Sequence, residues 1–454
     1  MDKIYFIGIG GIGMSAIARY MLAQGAEVYG YDKNKTSLTK KLEAEGMQIH
    51  YVDDPNLIPK ELDVVIYTPA IPDDHQELKW LREHNFKIMK RAEMLGELSK
   101  SAKTIAVAGT HGKTSTSSTI AHVLTDAGYG VSAFIGGIMA NYSSNYIEGS
   151  GEWIVVEADE FDRSFLWLQP NITVVLSMDP DHLDIYGEHN AMLDSFNEFI
   201  SQTAKGGHLI LKYDLKDKLS QKTLDVLGNN EVEITTFGYE SESDVMICKV
   251  EVRDGKFVFA LLQGDVFIRD LISVMPGRHN VENATAAMMA CLFSGATFQG
   301  VTAGLKSFKG IKRRFEKIYD SSDVTYIDDY AHHPTELKAA IGAAKELYAG
   351  RKILGVFQPH LFSRTRDFAE GFAKELDELD DIVLLDIYPA REKPIGGVTS
   401  EIIYRKMKNE NKLLATKESL MGILKKKEID VIMTLGAGDI DVFVTEIKSW
   451  LSEK

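Results

Sequence analysis

The chain has little that would cross-link it or anchor it in a membrane. Its 454 residues include only two cysteines, Cys248 and Cys291, in apolar contexts without metal-ligand spacing. Neither a disulfide framework nor a cysteine metal site is therefore expected. Apolar runs such as 173–178 fall far short of the roughly 20 residues that span a bilayer. The N-terminus has no basic region followed by an apolar stretch and a cleavage site. These absences favour a cytoplasmic protein with no membrane partner.

Positive charge is also scarce. The chain has 51 lysines and arginines against 66 aspartates and glutamates, a formal net charge of −15. This balance argues against a general nucleic-acid surface. If the substrates are phosphates, positive charge must be concentrated locally or supplied by a metal. The apolar content of 44% is that of a globular protein, and the length allows about three domains.

One glycine-containing loop, Gly109-Thr-His-Gly-Lys-Thr-Ser-Thr116, follows a short apolar run and opens a segment with helical apolar spacing. A strand that turns through glycines into a helix presents backbone N–H groups and a positive helix end to one spot. Lys113 adds a full positive charge, and the Thr114 hydroxyl can hold Mg²⁺. The general triphosphate motif has glycine where this chain has Val107. We predict that this loop binds a nucleotide triphosphate; the alternative is a plain glycine turn. The predicted contacts are Gly109, Thr110, His111, Gly112, Lys113, Thr114 and Ser115.

Strand and helix patterns divide the chain into three blocks. The first, about 1–98, alternates strands and helices as in a small βαβ sheet. The second begins at Lys103 and includes a stretch at about 231–275 that alternates with period two, which predicts an antiparallel subsheet. The third, from about Lys312, alternates strands and helices again. The pattern predicts an α/β protein.

A second glycine loop lies near the N-terminus. Gly8, Gly10 and Gly13 fit GxGxxG directly after a strand, and Asp32 ends the next strand. This pattern is typical of a dinucleotide-binding site in which the acidic residue, here Asp32, binds the ribose. An NAD-linked enzyme is therefore one interpretation. In physical terms, the motif is a glycine turn followed by a helix N-terminus, and together these bind a diphosphate. A UDP-sugar also contains a diphosphate. A separate triphosphate loop, which dehydrogenases do not need, favours the UDP-sugar.

Two further strands end in candidate metal ligands. Glu157 ends one apolar strand and starts an acidic cluster, 157–162, while His182 follows the next strand. Because ligands bind beyond the carboxyl ends of parallel strands, we expect both residues near the phosphate loop. A carboxylate suits Mg²⁺, and His182 would suit Mn²⁺ as well. The alternatives are a solvated acidic loop and a histidine that stabilises its own loop.

The third block contributes polar residues after its strands. The segment 328–336, Asp-Asp-Tyr-Ala-His-His-Pro-Thr-Glu, ends a strand and starts a helix, with proline suited to the first turn. His360 and Arg364 follow another strand and could grip a carboxylate. The basic run 312–314 is either a solvated linker or a phosphate contact.

Read together, these segments resemble the Mur ligase family over nearly the whole chain. Any one of them is moderately specific, but their order and number are not coincidental. The segments are Gly8–Ser15, Arg91–Leu95, Gly109–Thr116, Val156–Asp162, Asp179–Asp184, Gly277–Asn283, Arg313–Phe315, Asp329–Glu336, Phe357–Thr365 and Gly436–Ile440.

The resemblance implies a three-domain α/β enzyme. It would have a Rossmann-like UDP-sugar domain (1–98), a central P-loop ATP-binding domain with an antiparallel subsheet (99–311), and a Rossmann-like amino-acid domain (312–454). The nearest pattern is that of the members that use ATP to join L-alanine to the lactyl carboxylate of UDP-N-acetylmuramate. GTHGKT is the family's own form of the loop. ATP, Mg²⁺ or Mn²⁺ and a monomer or weak homodimer are therefore expected, with no nucleic-acid partner.

The resemblance also implies roles for individual residues. Thr114, Glu157 and His182 would bind metal, and Lys113 would contact the γ-phosphate; with Arg314, Lys113, Glu157 and His182 are the expected catalytic residues. Further ATP contacts would be His279, Asn280, Asn283, Arg314, Asp329 and His332. The UDP-sugar would contact Gly8, Gly10, Gly11, Ile12, Gly13, Met14, Ser15, Asp32, Thr68 and Pro69. The amino acid would contact His333, His360 and Arg364.

Two departures from the family pattern affect these expectations. Some relatives have arginine where this chain has Leu361, so the carboxylate clamp would depend more on Arg364. Other ligases of the family carry a carbamylated lysine where this chain reads Phe196-Asn-Glu-Phe199, so no carbamate is expected. A ligase that recycles murein tripeptides is the nearest alternative within the family. A ligand sensor that has lost ligation is another, which the intact Lys113 and Glu157 argue against.

Overall fold

A computed structural model describes residues 1–149, 151–179, 189–390 and 392–453. The described residues form three sheets, of five, ten and six strands. Within these ranges, none of the helices is both long and apolar enough to cross a membrane. The layered sheets and helices confirm the predicted α/β class.

The first sheet is entirely parallel, with strand order β3-β2-β1-β4-β5. Its central strands, Lys3–Ile7 and Val64–Tyr67, are mostly buried runs, as expected for a parallel sheet covered by helices. The elements are β1 (Lys3–Ile7), α1 (Ile12–Ala23), β2 (Glu27–Tyr31), α2 (Ser37–Ala44), β3 (Gln48–His50), β4 (Val64–Tyr67), α3 (Gln76–Glu83), β5 (Ile88–Lys90) and α4 (Arg91–Ser101).

The second sheet has the order β15-β14-β13-β12-β11-β10-β6-β9-β7-β8. The last three strands in chain order are joined by two residues each, 254–255 and 264–265, and such short connections require antiparallel neighbours. The predicted antiparallel subsheet is thus confirmed for 245–273. At 233–238, which the same prediction covered, the strand instead runs parallel to both of its neighbours. The elements are β6 (Lys103–Ala108), α5 (Lys113–Asp126), β7 (Val131–Met139), β8 (Ser144–Ile147), β9 (Trp153–Ala158), β10 (Ile172–Val175), α6 (His189–Ser201), β11 (His208–Lys212), α7 (Gln221–Asn229), β12 (Glu233–Gly238), β13 (Val245–Arg253), β14 (Lys256–Gln263), β15 (Val266–Ser273), α8 (Arg278–Phe293) and α9 (Phe298–Ser307).

The third sheet has the order β16-β17-β21-β18-β19-β20, and only its β16 edge is antiparallel. Because β17 and β18 both run parallel to β21, the loops after them leave from one edge of the sheet. The elements are β16 (Glu316–Asp320), β17 (Thr325–Asp329), α10 (Pro334–Leu347), β18 (Ile353–Phe357), α11 (Phe362–Leu376), β19 (Asp381–Leu385), α12 (Glu401–Tyr404), β20 (Lys412–Ala415), α13 (Lys417–Leu424), β21 (Val431–Leu435) and α14 (Val444–Ser452).

The chain packs into two compact units. The first comprises 1–248, 261–268 and 282–309; the second comprises 249–260, 269–281 and 310–454. In the first unit, one apolar cluster combines residues of the first sheet with residues of the second, including Phe6, Met14, Val156 and Phe199. In the second unit, separate clusters cover the two faces of the third sheet. The limits 1–98, 99–311 and 312–454 stay a prediction.

Candidate functional site

The phosphate loop connects β6 to α5 through two glycines with left-handed backbone. Gly109 has φ 142° and Gly112 has φ 84°, a region that favours glycine. A Cβ on Gly112 would also lie 2.6 Å from Asn283 Oδ1. Gly112 caps α5 without a side chain, so no side-chain cap occupies the backbone N–H groups at this helix start. This geometry matches the strand–loop–helix arrangement from which the sequence predicts an anion-binding helix start.

Ser177, which the sequence reasoning missed, anchors the loop. Its Oγ accepts a hydrogen bond from His111 N at 2.9 Å and pairs with Thr110 Oγ1 at 3.0 Å. Thr110 Oγ1 in turn accepts from Asp179 N at 3.2 Å. The segment after β10 thereby braces the loop. His182 lies outside the described residues.

Lys113 is held by a buried carboxylate. Its Nζ donates to Glu160 Oε1 and Oε2 at 2.9 and 2.7 Å, and to Gly109 O at 2.7 Å. Burial alone would lower the pKa of Lys113, but Glu160 and Asp159 outweigh it and raise the pKa above its ordinary value. The lysine therefore stays cationic at the loop. The sequence did not predict that Glu160 pairs with the lysine. The signal that could have indicated it is the position of Glu160 in the acidic cluster, three residues after Glu157.

Glu157 and Thr114 bring oxygen donors together beside the loop. Thr114 Oγ1 donates to Glu157 Oε2 at 3.1 Å, and Glu157 Oε1 accepts from Gly136 N at 2.5 Å and from Ser117 Oγ at 3.3 Å. Burial raises the pKa of Glu157, against the effect of the Gly136 amide and Lys113. A carboxylate and a hydroxyl that converge in this way are donors that Mg²⁺ prefers. The residues present therefore fit the predicted metal. Ser115 is buried in the same first turn of α5.

The first glycine loop begins at Gly8, which has φ 85°. Gly8 N and Ile9 N donate to Tyr31 O at 2.8 and 3.1 Å. The Asp32 carboxylate accepts from Gly10 N at 2.8 Å and from Asn34 N at 3.0 Å. In the structure Asp32 thus binds the loop's own backbone.

The remaining residues predicted to bind the UDP-sugar differ in their exposure to solvent. Ile12 is exposed at the start of α1, whereas Met14 and Ser15 are buried. Ser15 Oγ donates to Ile12 O at 2.9 Å and accepts from Asn145 Nδ2 at 3.1 Å, so it packs the helix. Thr68 lies against Gly8, where an added Cβ would be 3.0 Å from its Cγ2, and Pro69 follows it in the loop after β4.

A cavity of about 230 Å³ in the first unit is lined by residues of both glycine loops. Ile12 and Gly13 contribute from the first loop's helix, and Lys113 and Glu157 contribute from the phosphate-loop region. Arg91, the first residue of the family-like segment Arg91–Leu95, also lines it, although the sequence predicted no role for it. The helix start predicted to bind a diphosphate and the loop predicted to bind a triphosphate therefore open onto one space.

Asp329 organises its own loop in the second unit. Its carboxylate accepts from Phe315 N at 2.6 Å and from Ala331 N at 2.7 Å, and burial raises its pKa to about 6. Arg314 precedes Phe315 in the chain. Its guanidinium carbon is 5.3 Å from the centroid of the Tyr330 ring, and its Nη1 is 3.9 Å from Glu336 Oε1. Asp329 thus fixes the backbone beside Arg314.

His332 lies with the predicted amino-acid residues. Its ring centroid is 5.9 Å from that of His360, whose Nδ1 accepts from Arg364 Nη1 at 3.4 Å. His332 Nδ1 is 3.0 Å from Tyr330 O and 3.2 Å from Glu336 Oε2. Burial lowers the pKa of His332 despite Glu336, which keeps the imidazole neutral near pH 7.

His333 points elsewhere. Its Nδ1 accepts from Thr335 N at 3.3 Å, capping α10, and its ring lies 4.7 Å from that of Phe368. Leu361, between His360 and α11, has φ 70°. Such a backbone is strained for a bulky residue and is often found at functional sites.

The residues predicted at the start of α8 belong to different units. Asn283 contacts the phosphate loop in the first unit. In the second unit, Asn280 Nδ2 donates to Pro276 O at 2.7 Å, and a Cβ on Gly277 would lie 2.6 Å from His279 Cε1.

Comparison with known proteins agrees with this geometry. Residues 3–103 match the Mur ligase family catalytic domain, 107–291 the Mur ligase middle domain, and 313–438 the Mur ligase glutamate ligase domain. A UDP-N-acetylmuramate–L-alanine ligase of Cytophaga hutchinsonii is 47% identical over 459 residues, covering 99% of this chain and 96% of that protein.

Solved structures share the fold over full length. The UDP-N-acetylmuramate-alanine ligase MurC of Thermotoga maritima superposes with a TM-score of 0.83 at 27% identity and covers 100% of both chains. A murein peptide ligase of Psychrobacter arcticus gives a TM-score of 0.69 at 22% identity, covering 100% of this chain and 99% of that one, which supports the fold alone. The resemblance seen in the sequence is confirmed: this chain belongs to the Mur ligase family.

Proposed function

We propose that this chain is an ATP-dependent ligase that adds L-alanine to the lactyl carboxylate of UDP-N-acetylmuramate, forming ADP and phosphate, in peptidoglycan precursor synthesis. One observation carries the proposal. The helix start predicted to bind a sugar nucleotide and the lysine predicted to bind ATP line the same cavity of about 230 Å³. A relative 47% identical over nearly all of both chains bears the name of this activity.

The phosphate loop and its surroundings would bind ATP and metal. Lys113 and the N–H groups at the start of α5 would neutralise the transferred phosphoryl group. Thr114, Glu157 and His182 would hold Mg²⁺, or Mn²⁺, which supplies further charge neutralisation when bound. The other proposed ATP contacts are His279, Asn280, Asn283, Arg314, Asp329 and His332.

The reaction would proceed in two steps. A carboxylate oxygen of the sugar attacks the γ-phosphorus of ATP, ADP leaves, and an acyl phosphate forms. The neutral amine of L-alanine, its carboxylate held by Arg364 and His360, attacks the carbonyl carbon, and phosphate leaves with the bridging oxygen. His332, His333 and solvent are candidate acceptors of the amine proton. The neutral ring of His332, oriented by Glu336 at 3.2 Å, favours His332.

Two other functions remain as alternatives. A murein tripeptide-recycling ligase would use the same chemistry with a longer amine substrate. An NAD-linked enzyme would use the first glycine loop alone and would leave Lys113 and its loop without a role. We further propose that the protein acts in the cytoplasm as a monomer or weak homodimer.

Phosphate release tests the function directly. We expect release to require ATP, UDP-N-acetylmuramate and an amino acid together, with L-alanine preferred over glycine, L-serine and the murein tripeptide. Preference for the tripeptide would identify the recycling ligase. Stabilisation by NADH but not by a UDP-sugar would favour the dehydrogenase. With ¹⁸O in the sugar carboxylate, label should appear in phosphate; unlabelled phosphate would exclude the acyl phosphate.

A further inference from the structure

Arg91 lies against the first turn of α1. It is the first residue of α4, and a Cβ built on Gly13 would overlap its Nη1 and lie 3.3 Å from its Cδ and Cζ. The guanidinium therefore occupies the space that any side chain at position 13 would need. Because position 13 is glycine, the arginine side chain from another helix can lie against this loop.

This is an electrostatically unfavourable place for a cation. The N-terminus of a helix carries partial positive charge, which disfavours cations and favours anions. The first turn of α1 contains no acidic residue, and its cap, Gly11, has no side chain to contribute. Arg91 and the helix end thus add positive charge to one wall of the cavity, which Lys113 also lines.

The only carboxylate paired with Arg91 among the described residues is a weak partner. Asp159 Oδ2 is 3.4 Å from Arg91 Nη2, and the side chains are 26% and 36% exposed. Exposed pairs of this kind contribute little to stability. Asp159 also lines the cavity. The guanidinium that it holds is therefore accessible to an anion that enters the cavity.

Given the proposed function, we propose that Arg91 binds the diphosphate of the UDP-sugar and that Asp159 positions the guanidinium until the diphosphate replaces it. A planar guanidinium can donate two hydrogen bonds to a phosphate group. It would work beside the N–H groups of the first turn of α1, which favour the same anion.

The test measures nucleotide binding by titration calorimetry without ATP or amino acid. Arg91→Gln should weaken UDP and UDP-N-acetylmuramate about equally, by roughly 10- to 100-fold, the usual effect of losing a charge-assisted hydrogen bond. Arg91→Lys should lose less. Asp159→Asn should bind both ligands at least as tightly as the wild type, because it removes a competitor. ADP binding to each variant checks that the phosphate loop is intact.

Lys90 provides a matched control. It is the neighbouring residue and pairs with Asp162 at 3.0 Å, but it does not line the cavity. Lys90→Gln should leave binding of UDP unchanged.

Three outcomes would overturn the proposal. Equal weakening by Asp159→Asn and Arg91→Gln would make the ion pair merely structural. Weaker binding of UDP-N-acetylmuramate with unchanged binding of UDP would assign Arg91 to the lactyl carboxylate. Unchanged binding of both ligands in Arg91→Gln, in an enzyme whose wild type ligates L-alanine, would refute Arg91 while the proposed function stands. A wild type without ligase activity would instead refute the function.

Discussion

At the scale of single residues, the buried charge at the phosphate loop is matched by an opposite charge. Lys113 and Glu160 form the clearest pair, with Glu160 fully buried and both of its oxygens on the ammonium. Breaking a buried pair costs more than the pair contributes, because one charge is left uncompensated. Activity and stability at this position should therefore respond differently to single and double substitutions.

We expect Lys113→Met to lower the rate of phosphate release by about 10²–10³-fold, as for loss of a transition-state clamp. It should also lower the free energy of unfolding by about 3 kcal/mol, because Glu160 remains buried without its cation. Adding Glu160→Gln should recover most of that stability and none of the activity. Urea unfolding and phosphate release measure the two effects. A double variant as unstable as the single one would contradict this account.

Glu77 should make stability depend on pH. It is buried in the first turn of α3 and accepts a hydrogen bond from Tyr5 Oη at 2.5 Å. It lies with Asp53 and His75 in a cluster whose ligand atoms are within 4.8 Å of one another. Burial, against the Tyr5 hydrogen bond, raises the pKa of Glu77 from 4.5 to about 7. Between these values the folded state keeps a proton that the unfolded state has lost. Stability therefore falls as pH rises through this window, by about 3 kcal/mol at most.

Glu77→Gln should flatten this pH dependence, since glutamine has no proton to lose. Thermal unfolding at pH 5, 6, 7 and 8 measures it. Glu97→Gln, at an exposed carboxylate, is the control and should keep the wild-type slope. A wild type whose stability rises from pH 5 to pH 7 would show that other groups dominate.

At the scale of elements, a neighbouring strand helps to orient Glu157, the proposed metal ligand. β7 places Gly136 so that its N–H binds Glu157, and a Cβ there would lie 2.6 Å from Glu157 Oε2. Parallel pairing of β7 and β9 sets this distance. The carboxylate is therefore aimed by a neighbouring strand as well as by its own.

Gly136→Ala should displace the Glu157 carboxylate without unfolding the sheet. Its φ is not in the left-handed region, so the added methyl acts by contact alone. We expect a higher Mg²⁺ concentration for half-maximal activity and roughly a 10–100-fold loss of rate, in line with disturbed metal support. Gly228→Ala in α7, where a Cβ meets nothing within 4 Å, is the matched control. An unchanged Mg²⁺ requirement would contradict the assignment of Glu157.

At the scale of the whole molecule, the two compact units have their own apolar clusters. The residues predicted to bind the UDP-sugar lie in the first unit. We expect calorimetry to resolve more than one unfolding step, with UDP-N-acetylmuramate stabilising the step that belongs to the first unit. At 100 times its dissociation constant, a ligand stabilises by about 2.7 kcal/mol. A single step with equal van't Hoff and calorimetric enthalpies would contradict independent units.

Much of this protein was predictable from local pattern. The strand Lys103–Ala108 forms where the apolar run before the phosphate loop predicted it, and Trp153–Ala158 forms at the apolar strand predicted to end at Glu157. The phosphate loop sits between its predicted strand and helix. Such features depend on neighbours in the chain, because a glycine turn and an apolar run act within a few residues.

Partners distant in the chain were not predictable. The sequence reasoning missed β7, and with it the contact from Gly136 to Glu157. Nor did it foresee that His332 lies against His360 while His333 caps a helix. Which of two adjacent histidines faces a site depends on where α10 starts, and packing decides that.

The amino-acid sequence by itself determined the fold class, the family and the chemistry available, because spacing around glycines, lysine and acids is local and specific. Only the tertiary structure decided which charges meet. It paired Lys113 with Glu160, laid Arg91 against Gly13, and opened both loops of the first unit onto one cavity. The physical reason is that ion pairs and cavities depend on distances across strands and helices, which no spacing along the chain encodes.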